Sequence, residues 1–231
     1  MRVIQAAVLA LGVVLAGLIA PAAGAQGGEQ DDAYVLIATS ALNNSSYRRT
    51  VILALPTEGG HHMGIVLNRP SRRLLADLFP GHAASKSVDD PVYFGGPMSR
   101  QAIFALVQSD RSPGRGALRI MDSLYLAMTE SSVDRVIEQW PQRARFFVGD
   151  VIWRPGELRE ELGDSYWHVM NAHPDLMFRK DTQGLWDELS RLARAQSADA
   201  ARAIGGTAAQ CAAACSAFLA AARSNLKSPA M

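Results

Sequence analysis

The chain has 231 residues, 48% of them hydrophobic, which is enough for one substantial core with additions and short for two typical domains. Its 23 Lys plus Arg stand against 22 Asp plus Glu, so it lacks the basic excess of a protein that holds nucleic acid by neutralising phosphates.

Arg2 and the apolar run Val3 to Ile19 lead into Pro21-Ala-Ala-Gly-Ala25, a pattern that reads as a secretory signal peptide over residues 1–25. The alternative is an inner-membrane anchor over residues 3–19, but that run reaches only about 25 Å as a helix, against a hydrocarbon core of about 30 Å. Cleavage would place the chain in the periplasm or outside the cell, with no stable transmembrane helix. It would remove Arg2 alone among the charged residues, leaving a formally neutral mature chain.

Residues 26–33 form a polar, glycine-bearing linker, and the fold starts at Tyr34. Tyr34 to Ala38, Thr50 to Leu55 and Gly64 to Leu67 are short runs rich in Val, Ile and Leu, as buried strands are. Pro56-Thr-Glu-Gly-Gly60 predicts a hairpin connection. Ser71 ahead of Leu74, Leu75 and Leu78 predicts a short helix ended by Pro80-Gly81. Further strands are predicted at Val92 to Phe94, Ile103 to Gln108 and Leu124 to Met128.

Ser131 opens a helix with Asp134 in the capping-box position and Val133, Val136, Ile137 and Trp140 on one face, stopped by Pro141. Phe146 to Ile152 reads as a strand, Pro155 to Leu162 as a helix and Tyr166 to Met170 as a strand. Thr182 then caps a helix carrying Leu185, Trp186, Leu189 and Leu192. Strands and helices mix without regular alternation, which predicts an α+β domain over residues 34–194: a mixed β-sheet flanked by short helices. Residues 195–231 form an alanine-rich, helix-prone tail. Within it, Cys211 and Cys215 are either a disulfide of an oxidising compartment or small buried residues.

A set of motifs in fixed order resembles the YqgE/AlgH family: Leu36-Ile-Ala38, Tyr47 to Leu53, Met63 to Pro70 (MGIVLNRP), Val92 to Pro97 (VYFGGP) and Trp153-x-x-Gly-x-Leu158. Trp167 and Trp186 are spaced behind them. The resemblance runs from about Tyr34 to about Leu192. It implies a compact α+β domain and a soft association with regulation of alginate synthesis. His61-His62 replaces the family's usual Gly-Ala pair before Met-Gly, and with the signal peptide and tail this suggests a divergent, exported branch.

Several residues are candidate ligand contacts. Asn68 and Arg69 end a strand, Gly95 and Gly96 could let backbone approach a ligand, and Trp153 lies in a motif. Each has a structural reading too: Asn68 bonding loop backbone, and Gly95-Gly96 making a tight turn. The basic groups, Arg48-Arg49 among them, read first as solvated edges. No metal-ligand spacing, nucleophile elbow or nucleotide motif occurs, so no cofactor is expected. The reading that follows is an exported, non-catalytic accessory or regulatory domain binding a protein or small ligand in the cell envelope. An enzyme built on Asn68, Arg69, Trp153 and His62 would need these residues to converge on one pocket. A cytoplasmic transcription regulator is opposed by the neutral charge and the export signal.

Overall fold

A computed structural model describes residues 33–42 and 46–203. The predicted signal peptide, all of the linker before Ala33, Cys211, Cys215 and the tail after Ala203 lie outside the described residues.

The fold is α+β, built on one curled, mainly antiparallel sheet. Strands β1 (Tyr34–Ala38), β2 (Val51–Pro56) and β3 (His62–Val66) form a meander, closed between β2 and β3 by a 3₁₀ turn at Glu58–Gly60. Then come β4 (Pro70–Leu74), β5 (Pro91–Phe94), β6 (Met98–Gln108), β7 (Ala117–Met121), β8 (Leu124–Ala127), β9 (Ala144–Trp153) and β10 (Trp167–Asn171). The order across the sheet is β10-β1-β2-β3-β9-β6-β8-β7, with β5 on β9 and β4 on β5. The β5–β9 pair is parallel and every other pair antiparallel, so the sheet is mixed, as predicted.

Strand β9 joins the two halves. Its first half pairs with β5 and β6, and its second half with β3. The change of direction falls at Gly149, whose φ of +75° is a conformation that L side chains rarely adopt. A Cβ there would lie 2.4 Å from the Gly96 carbonyl oxygen. The curl therefore depends on glycine in both segments that cross at this point.

Side chains alternate across the sheet with period two and supply three apolar layers. The inner layer takes Val35, Ile37, Leu53, Ile65, Leu106, Leu126 and Phe147 from both halves. It is closed by α4 (Pro174–Met177) and α5 (Leu185–Ala203) through Met177, Leu185 and Leu189. Outside one half, α2 (Glu130–Gln139) packs Val133, Val136 and Ile137 on Ala105, Val107 and Phe146. Outside the other, α3 (Glu157–Gly163) lays Leu158 beside Trp153 and Trp167, over Leu36, Ile52, Ala54 and Val66.

Several boundaries differ from the sequence-based expectation. Ser71 to Leu74, predicted as helix, belongs to β4, because pairing with β5 claims its backbone; α1 is the single turn Leu75–Leu78. Helix α2 is capped by Thr129 rather than opened at Ser131, with the Ser132 hydroxyl accepting from the Thr129 N–H at 3.1 Å. Leu192, predicted on the apolar face of α5, is exposed, and α5 runs on through Ala195 to Ala203. β7 and α4 were not predicted; Ser123, at φ +59°, makes the tight turn that folds β7 onto β8.

Candidate functional site

The Asn68-Arg69 pair leaves β3 and turns back onto the segment 46–50. The Asn68 Oδ1 accepts from the Val51 N–H at 3.0 Å, and its Nδ2 donates to the Arg49 carbonyl at 2.9 Å. One side chain thus continues the β2–β3 ladder where the backbone has turned away. The Arg69 guanidinium donates to the Ser46 carbonyl at 2.7 Å and to the Arg48 carbonyl at 3.3 Å. Burial lowers the Arg69 pKa from its ordinary value.

Gly95 and Gly96 lie on the bend of β9. A Cβ on Gly95 would fall 2.3 Å from the Gly149 carbonyl oxygen, and one on Gly96 would fall 2.0 Å from that of Asp150. Trp153 stacks on β3 where Gly64 leaves room; a Cβ on Gly64 would lie 2.7 Å from the indole. The Trp153 and Trp167 indole N–H groups donate to the same oxygen, Glu161 Oε2, at 2.9 and 2.7 Å. Their rings meet edge to face at 6.4 Å, and Tyr47 meets Trp167 edge-on at 6.2 Å. Burial first, then the Glu161 and Glu157 carboxylates, push the Tyr47 phenol pKa up, so it stays neutral.

All five predicted contact residues therefore engage the fold itself, and three bear on one task. Asn68 and Arg69 bond segment 46–50 directly, while Trp153, through Trp167 and Tyr47, supports it from below; Gly95 and Gly96 set the bend of β9 next to it. His62, opposite Trp153 in the β3–β9 ladder with its ring 6.3 Å from that of Tyr34, stands apart.

The segment so held projects Arg48 and Arg49 toward Trp186 on α5. Arg49 sits at φ +57°, a strained conformation for a residue that carries a Cβ, fixed by the Asn68 bond to its carbonyl. Its guanidinium lies 4.4 Å over the Trp186 ring and pairs with Asp187 at 2.5 Å. The Trp186 indole N–H donates to the Ala38 carbonyl at 2.7 Å, at the end of β1.

Two concavities meet at this indole and share Thr39, Ser40 and Trp186. One, of about 440 Å³, continues along Leu42, Arg48 and Arg49. The other, of about 320 Å³, continues along Ala41, Ser165, His168, Ser190 and Arg194. Trp186, Ser190 and Arg194 are four residues apart in turn, so they form one stripe of α5 facing the groove. Burial, and secondarily the Arg194 charge, lower the His168 pKa, leaving that imidazole neutral at pH 7. Neither wall carries a carboxylate among its described lining residues, and both are mainly apolar.

Sequence reasoning passed over Thr39, Ser40, His168, Ser190 and Arg194 as a site, and read Arg48-Arg49 as a solvated edge. The one signal available was a polar Thr39-Ser40 step directly after the apolar run that ends at Ala38. Among the described residues no group of three His, Cys, Asp or Glu is placed to hold a metal ion, and no helix is long and apolar enough to cross a membrane.

A sequence profile described as AlgH-like (DUF179) matches residues 35–198, well over half of the chain. The chain belongs to the AlgH-like family. The matched span takes in the motif residues and both walls of the groove. A UPF0301 protein of Ruegeria pomeroyi is 26% identical over 163 residues, covering 68% of this chain and 89% of the relative. One from Nocardia farcinica is 29% identical over 171 residues, covering 72% and 80%. The solution structure of the AlgH protein of Pseudomonas aeruginosa, also a UPF0301 protein, matches with a TM-score of 0.57 at 25% identity, over 69% of this chain and 87% of that one. An X-ray structure of a Corynebacterium diphtheriae protein matches with a TM-score of 0.58 at 21% identity, over 69% and 85%, a likeness of fold alone. The names of the UPF0301 and AlgH proteins state a family and no activity.

Proposed function

We propose that this AlgH-like chain is an exported, non-catalytic accessory or regulatory domain that holds a protein or small ligand in the cell envelope, and that the ligand sits in the groove at Trp186. The observation that carries the reading is the meeting of two concavities at one indole, walled by apolar surface and by Arg48, Arg49 and Arg194, with the Arg48–Arg49 backbone held from behind by Arg69 and Asn68. An aromatic anchor, cationic walls and a backed loop suit recognition. The polar groups along the groove are guanidinium, hydroxyl and a neutral imidazole, a set suited to binding rather than to a paired acid and base. Export is supported by the Arg2, Val3 to Ile19 and Ala23-Gly-Ala25 pattern.

Cell fractionation of the native protein with intact mass spectrometry tests the location, and a broad hydrolase panel tests the absence of catalysis. The expected outcome is a periplasmic or secreted species beginning near Gln26, without turnover. A full-length cytoplasmic species overturns export, and a full-length membrane-bound one makes residues 3–19 an anchor. Turnover abolished by single substitutions along the groove overturns the non-catalytic reading.

A further inference from the structure

The Ser190 side of the groove is built differently from its neighbour. The Ser190 side chain is buried, 3% exposed, and its hydroxyl has no hydrogen-bond partner. A serine inside a helix ordinarily bonds back to the carbonyl four residues earlier, as Ser197 does to Ala193 at 3.0 Å. Ser190 makes no such bond, and it is among the residues that line the concavity. A buried polar atom without a partner costs free energy comparable to a lost hydrogen bond, so its presence calls for an explanation, and a bound group that completes it is one.

The surroundings specify what completes it. One turn further along α5, Arg194 lines the same concavity and forms no ion pair with any described carboxylate, and its charge reaches His168 on β10 across the cavity. Thr39 is already committed, its hydroxyl donating to the Ser165 carbonyl at 2.8 Å. The chamber thus offers the serine hydroxyls of its lining, Ser190 among them, with one guanidinium and one imidazole, and mainly apolar surface that includes Trp186.

We propose that this chamber binds an organic anion: an apolar body laid against Trp186, with a carboxylate or phosphate head group that accepts from Ser190 and Arg194. The inference rests on the Trp186 groove being the binding site and adds the chemical class of its ligand. Guanidinium supplies charge and a donor fork, the hydroxyl a second donor, and the apolar wall the affinity that an inorganic ion would lack.

The test is titration of the full chain, ¹⁵N-labelled, with phenyl phosphate, benzoate, benzyl alcohol and inorganic phosphate, following the Trp186 indole N–H and the Ser190 amide. Phenyl phosphate or benzoate is expected to shift both signals saturably, with benzyl alcohol and inorganic phosphate each at least about tenfold weaker. Arg194→Gln is expected to weaken the anion about tenfold and Ser190→Ala about fivefold, the sizes of a lost charge-assisted and a lost neutral hydrogen bond. Arg194 is exposed, so Arg194→Gln retains the fold, and Arg194→Lys recovers part of the affinity. Benzyl alcohol binding as tightly as the anions overturns the anionic class while leaving the groove a binding site. Anion binding unchanged in both Arg194→Gln and Ser190→Ala overturns the chamber. Inorganic phosphate binding as tightly as phenyl phosphate overturns the role of the apolar wall. Silence with every probe overturns the anion inference, and the groove itself is then judged by whether the native chain carries a Trp186-dependent ligand.

Discussion

Replacing Glu161 by alanine is the sharpest test of how the scaffold behind the groove is held. Its Oε2 takes the indole N–H groups of both Trp153 and Trp167, side chains that are 3% and 5% exposed. Removing it strands two buried donors. Each stranded donor costs about 1–3 kcal/mol, but Glu161 is itself only half-buried, so water can enter from its side and the lower end applies. The expected loss is about 2–3 kcal/mol in total, or roughly 5–10 °C in Tm for a domain of this size. Urea and thermal unfolding followed by tryptophan fluorescence would measure it. Glu161→Gln keeps an acceptor oxygen with two lone pairs and is expected to lose less than about 1 kcal/mol. In a double-mutant cycle, Trp167→Phe is expected to cost about 1 kcal/mol less in the Glu161→Ala background than in the parent, because the donor it removes has already lost its acceptor. Glu161→Ala as stable as the parent, or a cycle with zero coupling, would refute the clamp.

Three further outcomes follow from the same geometry. Asn68→Ala leaves the fully buried Val51 N–H without its acceptor and frees the Arg49 carbonyl; a loss of about 1–3 kcal/mol in urea unfolding is expected, with weaker stacking of Arg49 on Trp186. Gly96→Ala drives a methyl into the Asp150 backbone at 2.0 Å and is expected to prevent stable folding, whereas Gly81→Ala, with open space at its Cβ, changes Tm by less than about 2 °C. The His168 midpoint is expected to lie below its ordinary value by NMR, and Arg194→Gln to raise it only in part, because burial is the larger cause. Since the folded state binds that proton less readily than the unfolded one, His168 costs stability as pH falls through the histidine range. The loss is complete below its folded pKa.

Much of the architecture was legible because the residues that build it act locally. β1, β2 and β3 announce themselves as short apolar runs between turn residues, and α2 by its 3.6-residue spacing. The region Ser71 to Leu74 misled because Leu74, Leu75 and Leu78 carry a helical spacing, while the partner that makes β4 a strand, Pro91 to Tyr93, is distant in sequence. β7 was invisible for a similar reason: Ala117 to Met121 has no alternation, and pairing with β8 alone makes it a strand. At the site, the motifs drew attention to Asn68, Arg69, Gly95, Gly96 and Trp153, whose peculiar residue types are demanded by backbone turns, close crossings and a shared carboxylate. The groove they support is made of ordinary residues, Thr39, Ser40, Ser190 and Arg194, from segments that meet only once β1, β10 and α5 are packed. Nothing in the local sequence of Ser190 marks it as a hydroxyl without a partner.

The groove at Trp186 is proposed to carry a ligand in the cell. Native mass spectrometry of the chain isolated from its own cells under non-denaturing conditions, compared with Trp186→Ala isolated in the same way, tests it directly. A bound mass present on the parent chain and absent from the variant is the predicted result, with both masses coinciding after denaturation. A parent chain that carries no adduct, or an adduct that survives Trp186→Ala, would contradict it.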